Sequence, residues 1–317
     1  MAQFADDFLT KLKKARTEKR LRTVFRNRLL PLFWVTNPAI HENQLHYYEM
    51  KRIKKKYNHL LDNDARSIDD YFHQIETHSS QKKVLNNKIW VCWFQGVDNA
   101  PPLVKTCIHS LRKIKGYEVT VITAENWESY AAIPAFIVEK WQTGKISNTH
   151  MSDILRLALL VQHGGLWIDA TVLYDGDGGL PSYFTSSDLF FYSNLLRGDL
   201  SSVGSNWLIC AKPDNQMLRL TLYLLYRYWE KNDHAVYYFI FHYFLKLAFD
   251  RHPAQWEKLP KVSNVDPHLM CFELFDSATP ARIKRMEETS VFHKLSYKLD
   301  FSLDKDGSLY QYILNNY

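Results

Sequence analysis

Short apolar runs and helical stretches alternate through the middle of the chain. Lys88-Ile-Trp-Val-Cys-Trp-Phe94 is a β-prone run ended by Gln95-Gly96. Pro101-Pro102 then opens a helical segment through Leu103, Cys107, Ile108 and Leu111, which closes near Gly116. Glu118-Val-Thr-Val-Ile122 reads as a second strand. Asn148 or Thr149 is placed to cap a helix that runs to Gln162 and stops at Gly164-Gly165. Leu166-Trp-Ile168 follows as a third strand, with Asp169 at its end. Strand, helix, strand, helix, strand predicts a parallel α/β sheet.

The flanks carry a different rhythm. In the first thirty or so residues Phe4, Phe8, Leu12, Leu21, Phe25 and Leu29 recur at helical spacing, with cations between them. A second helical stretch passes through Tyr47, Ile53 and Leu60 to Ile75. After about Ser182 the pattern loosens, and aromatic-rich helical stretches are expected over 217–229 and 235–249. Phe292-His-Lys-Leu-Ser-Tyr-Lys298 alternates near the end. The division that follows is a basic helical region over 1–85 and an α/β domain over 86–317 whose C-terminal part is helical.

Charge sharpens the reading of the first region. The net charge is +6, and nine cations crowd the stretch from Lys11 to Arg28, with a second basic run over Lys51 to Lys56. A basic amphipathic helix of this kind either lies on an anionic membrane face or packs, solvated, on the body. No nucleic-acid module accompanies the cations, so nucleic acid is set aside as a partner. Hydrophobic residues at 46% and charged residues at 23% describe a folded globular chain. Cys92, Cys107, Cys210 and Cys271 lack C-x-x-C spacing, and neither a secretory leader nor a long apolar span is evident. The expectation is a cytoplasmic protein, peripheral on the inner face of a plasma membrane.

Ligands of open α/β sheets bind beyond the carboxyl ends of the strands, where Asp169 is expected. The helix before it carries Asp153 and Arg156 three apart, hence on one face, with His150 three residues earlier. Each has a structural reading when taken singly: an Asp at a helix start, a surface ion pair, a turn residue. Their convergence after a buried strand is what points to chemistry. His234, His242, His252, His268 and His293 show no metal-ligand spacing. Ser201-Ser-Val-Gly-Ser205 reads as a small-residue loop, either at the surface or along an acceptor cleft.

His163-Gly-Gly-Leu-Trp-Ile-Asp-Ala-Thr171, preceded by Ser152-Asp-Ile-Leu-Arg156, resembles the signature of the capsular polysaccharide synthesis glycosyltransferases. Ile89-Trp-Val-Cys-Trp-Phe-Gln-Gly96 with Pro101-Pro102 resembles their opening strand, and Lys294-Leu-Ser-Tyr-Lys298 their closing motif. The likeness runs in order from about Lys88 to Lys298. These proteins are related to the wider DXD sugar-binding group, which includes Golgi mannosyltransferases and clostridial glucosylating toxins. The resemblance implies a GT-A-like α/β fold, a nucleotide-sugar donor (uridine rather than guanosine) and transfer with net retention. It implies a saccharide acceptor, lipid-linked in capsule or exopolysaccharide assembly. Trp93 would stack on the base, with Gln95 beside it. Asp153, Arg156 and Asp169 would hold the donor's hydroxyls as the candidate catalytic groups, and Asp169 would be the metal ligand. A core aromatic is the competing role for Trp93.

One position departs from the family pattern. Thr171 stands where the second acid of DXD is expected, which puts use of a divalent ion, Mn²⁺ or Mg²⁺, in question. Asp175 or Asp177, in a Gly-rich turn, are the substitute ligands the sequence offers. With less help from a metal, cations must stabilise the departing diphosphate. Lys294 and Lys298, with Ser296 between them at period two, are the candidates; a solvated edge strand is their alternative. No residue is identified as a catalytic base. A weakly active sugar-nucleotide-binding protein, or a sugar-phosphate or nucleotidyl transferase, remains open beside the glycosyltransferase.

Overall fold

A computed structural model describes residues 38–62, 65–75, 87–194 and 202–317 of the chain. The basic segment before residue 38 lies outside them. In chain order α1 (Pro38–Tyr57) and α2 (Ala65–Ile75) precede β1 (Lys88–Cys92), α3 (Pro102–Leu111) and β2 (Glu118–Ile122). Next come α4 (Ala135–Gln142), α5 (Asn148–His163), β3 (Gly165–Ile168) and the short β4 (Val172–Tyr174). β5 (Leu189–Ser193) and β6 (Gly204–Ala211) complete the main sheet. The remainder is α6 (Gln216–Lys231), α7 (Ile240–Arg251), α8 (Pro253–Glu257), α9 (Leu269–Phe272), α10 (Pro280–Thr289), β7 (Phe292–Lys294) and α11 (Leu309–Asn316).

The sheet runs β2-β1-β3-β6-β5. Its first three strands are parallel, as the alternating pattern predicts, but β6 runs antiparallel to β3 and β5 antiparallel to β6. The three strands read from the sequence are thus parallel, and β5 and β6, which it did not identify, make the whole sheet mixed. Alternation sends Trp90, Trp167 and Ile209 to one face, under the helices α5, α6 and α7. Ile89, Leu166, Ile168 and Leu208 face the other way, against α3. β4 and β7 form a separate two-stranded antiparallel sheet, with Val172 opposite Lys294.

The described part of the first region is built into the body. Met50, Ile53 and Tyr57 of α1 and Phe72 of α2 are buried in the same core as Tyr228 and Phe244. The second basic run keeps its charge outside: Lys51, Arg52, Lys54, Lys55 and Lys56 are exposed around buried Ile53. Among the described residues no helix is long and apolar enough to cross a membrane.

Two details of α5 fix where its polar residues go. The N-cap is Ser147, whose Oγ accepts the His150 backbone N–H at 3.3 Å; Asn148 and Thr149, the expected caps, are already helical. At the other end Gly164 has φ +70°, and a Cβ there would lie 2.6 Å from Pro213. Only glycine takes that turn so tightly, and it returns the chain from α5 straight into β3.

Candidate active site

A cleft of about 710 Å³ opens at the carboxyl ends of β1 and β3, within the range usual for small-molecule sites. Trp93 and Gln95 line it where β1 ends, Asp153 and Arg156 from α5, and Asp169 and Thr171 where β3 ends. Lys294, Ser296 and Lys298 line it as well, from β7 and the turn beyond it. Every residue singled out for donor binding thus borders one cavity.

The floor is a continuous polar chain. Asp153 and Arg156, one turn apart on α5, are 5% and 4% exposed. Arg156 Nη1 donates to Asp153 Oδ1, and its Nη2 donates to Asp169 Oδ1 at 3.1 Å. The guanidinium lies over the Trp167 ring, 4.7 Å from its centre, so the apolar strand residue supports the cation. Trp167 Nε1 also donates to Asp169 Oδ1, at 3.0 Å. The Asp169 backbone is pinned as well, its N–H donating to Trp207 O at 2.8 Å.

Burial alone would push the Asp153 carboxyl up. The Arg156 guanidinium, and behind it His150 with Nδ1 3.8 Å away, overcome that and hold it below the ordinary carboxylate value. Asp153 is therefore a fixed anion that aims Arg156, and Arg156 in turn aims Asp169.

Asn206 and Tyr238 are absent from the sequence reading, and other residues named there without a donor-site role also border the cleft. Asn206 donates to Asp153 Oδ1 at 2.9 Å from the start of β6. Gly204 and Ser205 belong to that strand rather than to a loop, and both line the cleft. The signal was the apolar run Trp207-Leu-Ile-Cys-Ala211, bounded by Gly204 and Pro213. Tyr238 lies in the turn before α7, which begins at Ile240 rather than near Ala235. Tyr297 meets Trp93 edge to face, ring centres 5.2 Å apart at 81°. His242 and His268 also line the cleft, although no metal spacing marks them. Burial holds the His268 imidazole below its ordinary value.

The closing motif is arranged differently from the expectation. β7 ends at Lys294; beyond it Ser296 Oγ accepts the Lys298 N–H at 3.1 Å in a turn. The shared strand face at period two is therefore corrected: only Lys294 sits in the ladder. Its Nζ donates to Thr171 Oγ1 at 2.6 Å and stands 3.3 Å from Asp169 Oδ2. Lys298 is exposed, 5.6 Å over the Tyr297 ring.

The substitute metal ligands do not reach the cleft. Asp175 Oδ1 accepts from the Tyr317 hydroxyl, with Oδ2 3.6 Å from His293 Nε2. Asp177 Oδ1 accepts the Gly179 N–H at 3.2 Å, folding its own turn. Around Asp169 the donor set does not suit a divalent ion either. One carboxylate oxygen takes Arg156 and Trp167, the other faces the Lys294 ammonium, and the neighbouring hydroxyl is a weak ligand. Among the described residues no group of three or more His, Cys, Asp or Glu side chains is arranged to hold a metal.

Comparison with known proteins gives three findings. O-glycosyltransferase PaGT of Phomopsis amygdali is 28% identical over 171 residues, 49% of this chain and 42% of that protein. The chain thus spans less than half the length of this relative. The solved PaToxG glycosyltransferase aligns over 77% of this chain and 96% of its own, at 16% identity and a TM-score of 0.36. Residues 31–313 match the family described as capsular polysaccharide synthesis protein, a match that begins well before Lys88 and takes in α1 and α2. The chain belongs to the capsular polysaccharide synthesis protein family.

Proposed function

We propose that this protein is a glycosyltransferase that moves a hexose from a nucleotide-sugar donor to a hydroxyl of a saccharide acceptor. The observation that carries the reading is the chain Asp153–Arg156–Asp169, held at the carboxyl edge of the sheet on the floor of a cleft. Sugar hydroxyls are read by carboxylate acceptors and guanidinium donors, and a water-poor floor strengthens both. Arg156 Nε, buried and without a hydrogen-bond partner, is a spare donor in that floor. Family membership and the partial relative, named an O-glycosyltransferase, support the same class.

Within that reading the donor is a uridine diphosphate hexose. Trp93 and Gln95 border the base, Asp169 and Arg156 the ribose and sugar hydroxyls, and Lys294, Ser296 and Lys298 the diphosphate. Asp153 acts by fixing Arg156. The acceptor is a lipid-linked oligosaccharide of capsule or exopolysaccharide assembly, and transfer retains the anomeric configuration. The exposed cations of α1, from Lys51 to Lys56, favour work at an anionic membrane surface, on the inner face of the plasma membrane.

A ligand that binds only the folded protein raises its melting temperature. Uridine diphosphate hexoses are expected to raise it and guanosine diphosphate hexoses to raise it less, with the shift abolished in Asp169→Asn. A chain that melts at one temperature with every sugar nucleotide would sink the proposal.

A further inference from the structure

The residues around Asp169 resist a divalent ion because another cation is already there. Thr171 stands two residues after Asp169, and Lys294 closes the space between them, its Nζ 2.6 Å from Thr171 Oγ1 and 3.3 Å from Asp169 Oδ2. The placement is built by backbone pairing rather than by a wandering side chain. Val172 sits opposite Lys294 in the β4–β7 ladder, and the Leu295 N–H donates to Thr171 O at 2.9 Å. The other Asp169 oxygen is taken by Arg156 and Trp167. A metal coordinated by this carboxylate would have to expel the ammonium or sit against it, cation to cation.

We propose that the Lys294 ammonium, seated on Asp169 and Thr171, stands in place of the divalent cation and itself receives the departing diphosphate. This rests on the donor-site reading above. In the transfer, the bond from the anomeric carbon to the β-phosphate oxygen breaks, and its electron pair stays on that oxygen. The acceptor hydroxyl forms the new bond to the carbon and releases its proton to solvent. The charge gathering on the diphosphate meets one fixed ammonium held within hydrogen-bonding reach of a hydroxyl and a carboxylate. Two anions and two cations already balance on the floor and inner wall: Asp153 and Asp169 against Arg156 and Lys294. Lys298 at the rim adds a further positive charge toward the incoming phosphates.

The test is calorimetric titration of the full chain with uridine diphosphate, guanosine diphosphate and the matching nucleosides, in chelator and in Mn²⁺. The expected result is a diphosphate affinity that changes by less than about twofold between the two conditions. Lys294→Gln is expected to lower diphosphate affinity by at least about tenfold in chelator and to leave nucleoside affinity alone. Lys294→Arg, which keeps the charge, retains metal-free binding and serves if the glutamine variant misfolds. Thr171→Asp combined with Lys294→Gln restores an acid pair and regains diphosphate affinity only when Mn²⁺ is present. Native binding that requires Mn²⁺ overturns the inference while leaving the donor site standing, and so does an unchanged affinity in Lys294→Gln. Absence of binding by any nucleotide in either condition removes the donor reading and this inference together.

Discussion

On the floor of the cleft Asp153 and Arg156 are 5% and 4% exposed and spend most of their hydrogen bonds on each other and on Asn206 and Asp169. On the outer wall Tyr297 and Tyr238 are 38% and 57% exposed, and exposed Lys298 lies over the Tyr297 ring. Both regions border the same cavity, but they answer to different constraints. A buried ion pair must be complete, because one charge left alone in the interior has no water to turn to. An exposed aromatic is free to change without disturbing the fold. Floor residues are therefore tied to stability and ligand binding at once, whereas wall residues are free to serve the ligand alone.

Removing one partner of the floor pair gives the largest expected effect. Arg156→Met strands Asp153 in the interior and is expected to destabilise the fold by about 3–5 kcal/mol in chemical denaturation. Combining it with Asp153→Asn should recover a substantial part of that loss, since the stranded charge is gone. If Arg156→Met costs no more than a surface substitution, the floor is not a sealed unit.

Asp169 is the outermost member of the floor chain, its side chain 27% exposed against 7% and 4% for Asp153 and Arg156. Asp169→Asn keeps an amide oxygen as acceptor and leaves Arg156 paired with Asp153, so it should cost about 1 kcal/mol of stability, well below the loss in Arg156→Met. Its effect on sugar-nucleotide affinity, measured by titration, should be at least about tenfold. The reverse ranking would make Asp169 as much a part of the sealed pair as Asp153.

The floor was also the part that could be read from the sequence. Asp153 and Arg156 lie one helical turn apart on α5, and Asp169 directly follows the apolar run of β3, so local periodicity and one tight Gly164 turn bring all three together. The parallel half of the sheet was legible for the same reason. β5 and β6 were not, because Leu189-Phe-Phe-Tyr and Trp207-Leu-Ile-Cys-Ala are continuous apolar runs with no period to distinguish strand from buried helix. Asn206 was missed with the strand that carries it. The Lys294–Thr171 contact joins residues 123 positions apart through a three-residue ladder, and nothing local encodes that pairing.

Acid should weaken the floor before the wall. Asp153 titrates below the ordinary carboxylate value in the folded protein, so the unfolded chain takes up its proton first as pH falls. The stability it supplies is complete above the ordinary carboxylate range, at about pH 4. That stability is lost progressively as pH drops from there toward the depressed folded value. Asp153→Asn should be less stable than the native chain at neutral pH, with the gap narrowing in acid. A gap that stays constant with pH would mean that the carboxylate charge contributes nothing.

Tyr297 gives the smallest and most selective effect. Its ring forms one side of an angle with Trp93, centres 5.2 Å apart at 81°, so a flat base or a sugar face can pack on one ring while meeting the edge of the other. Such a contact is worth about 0.5–1.5 kcal/mol beyond area alone, which corresponds to roughly a two- to tenfold loss of uridine diphosphate affinity in Tyr297→Ala. The ring rather than the hydroxyl does this, so Tyr297→Phe should bind like the native chain. Tyr297→Phe should leave the denaturation midpoint where it is, and Tyr297→Ala, at a residue 38% exposed, should move it less than any floor substitution does. If Tyr297→Ala lowers stability and leaves affinity intact, the outer wall is an extension of the core, and the distinction between the two regions disappears.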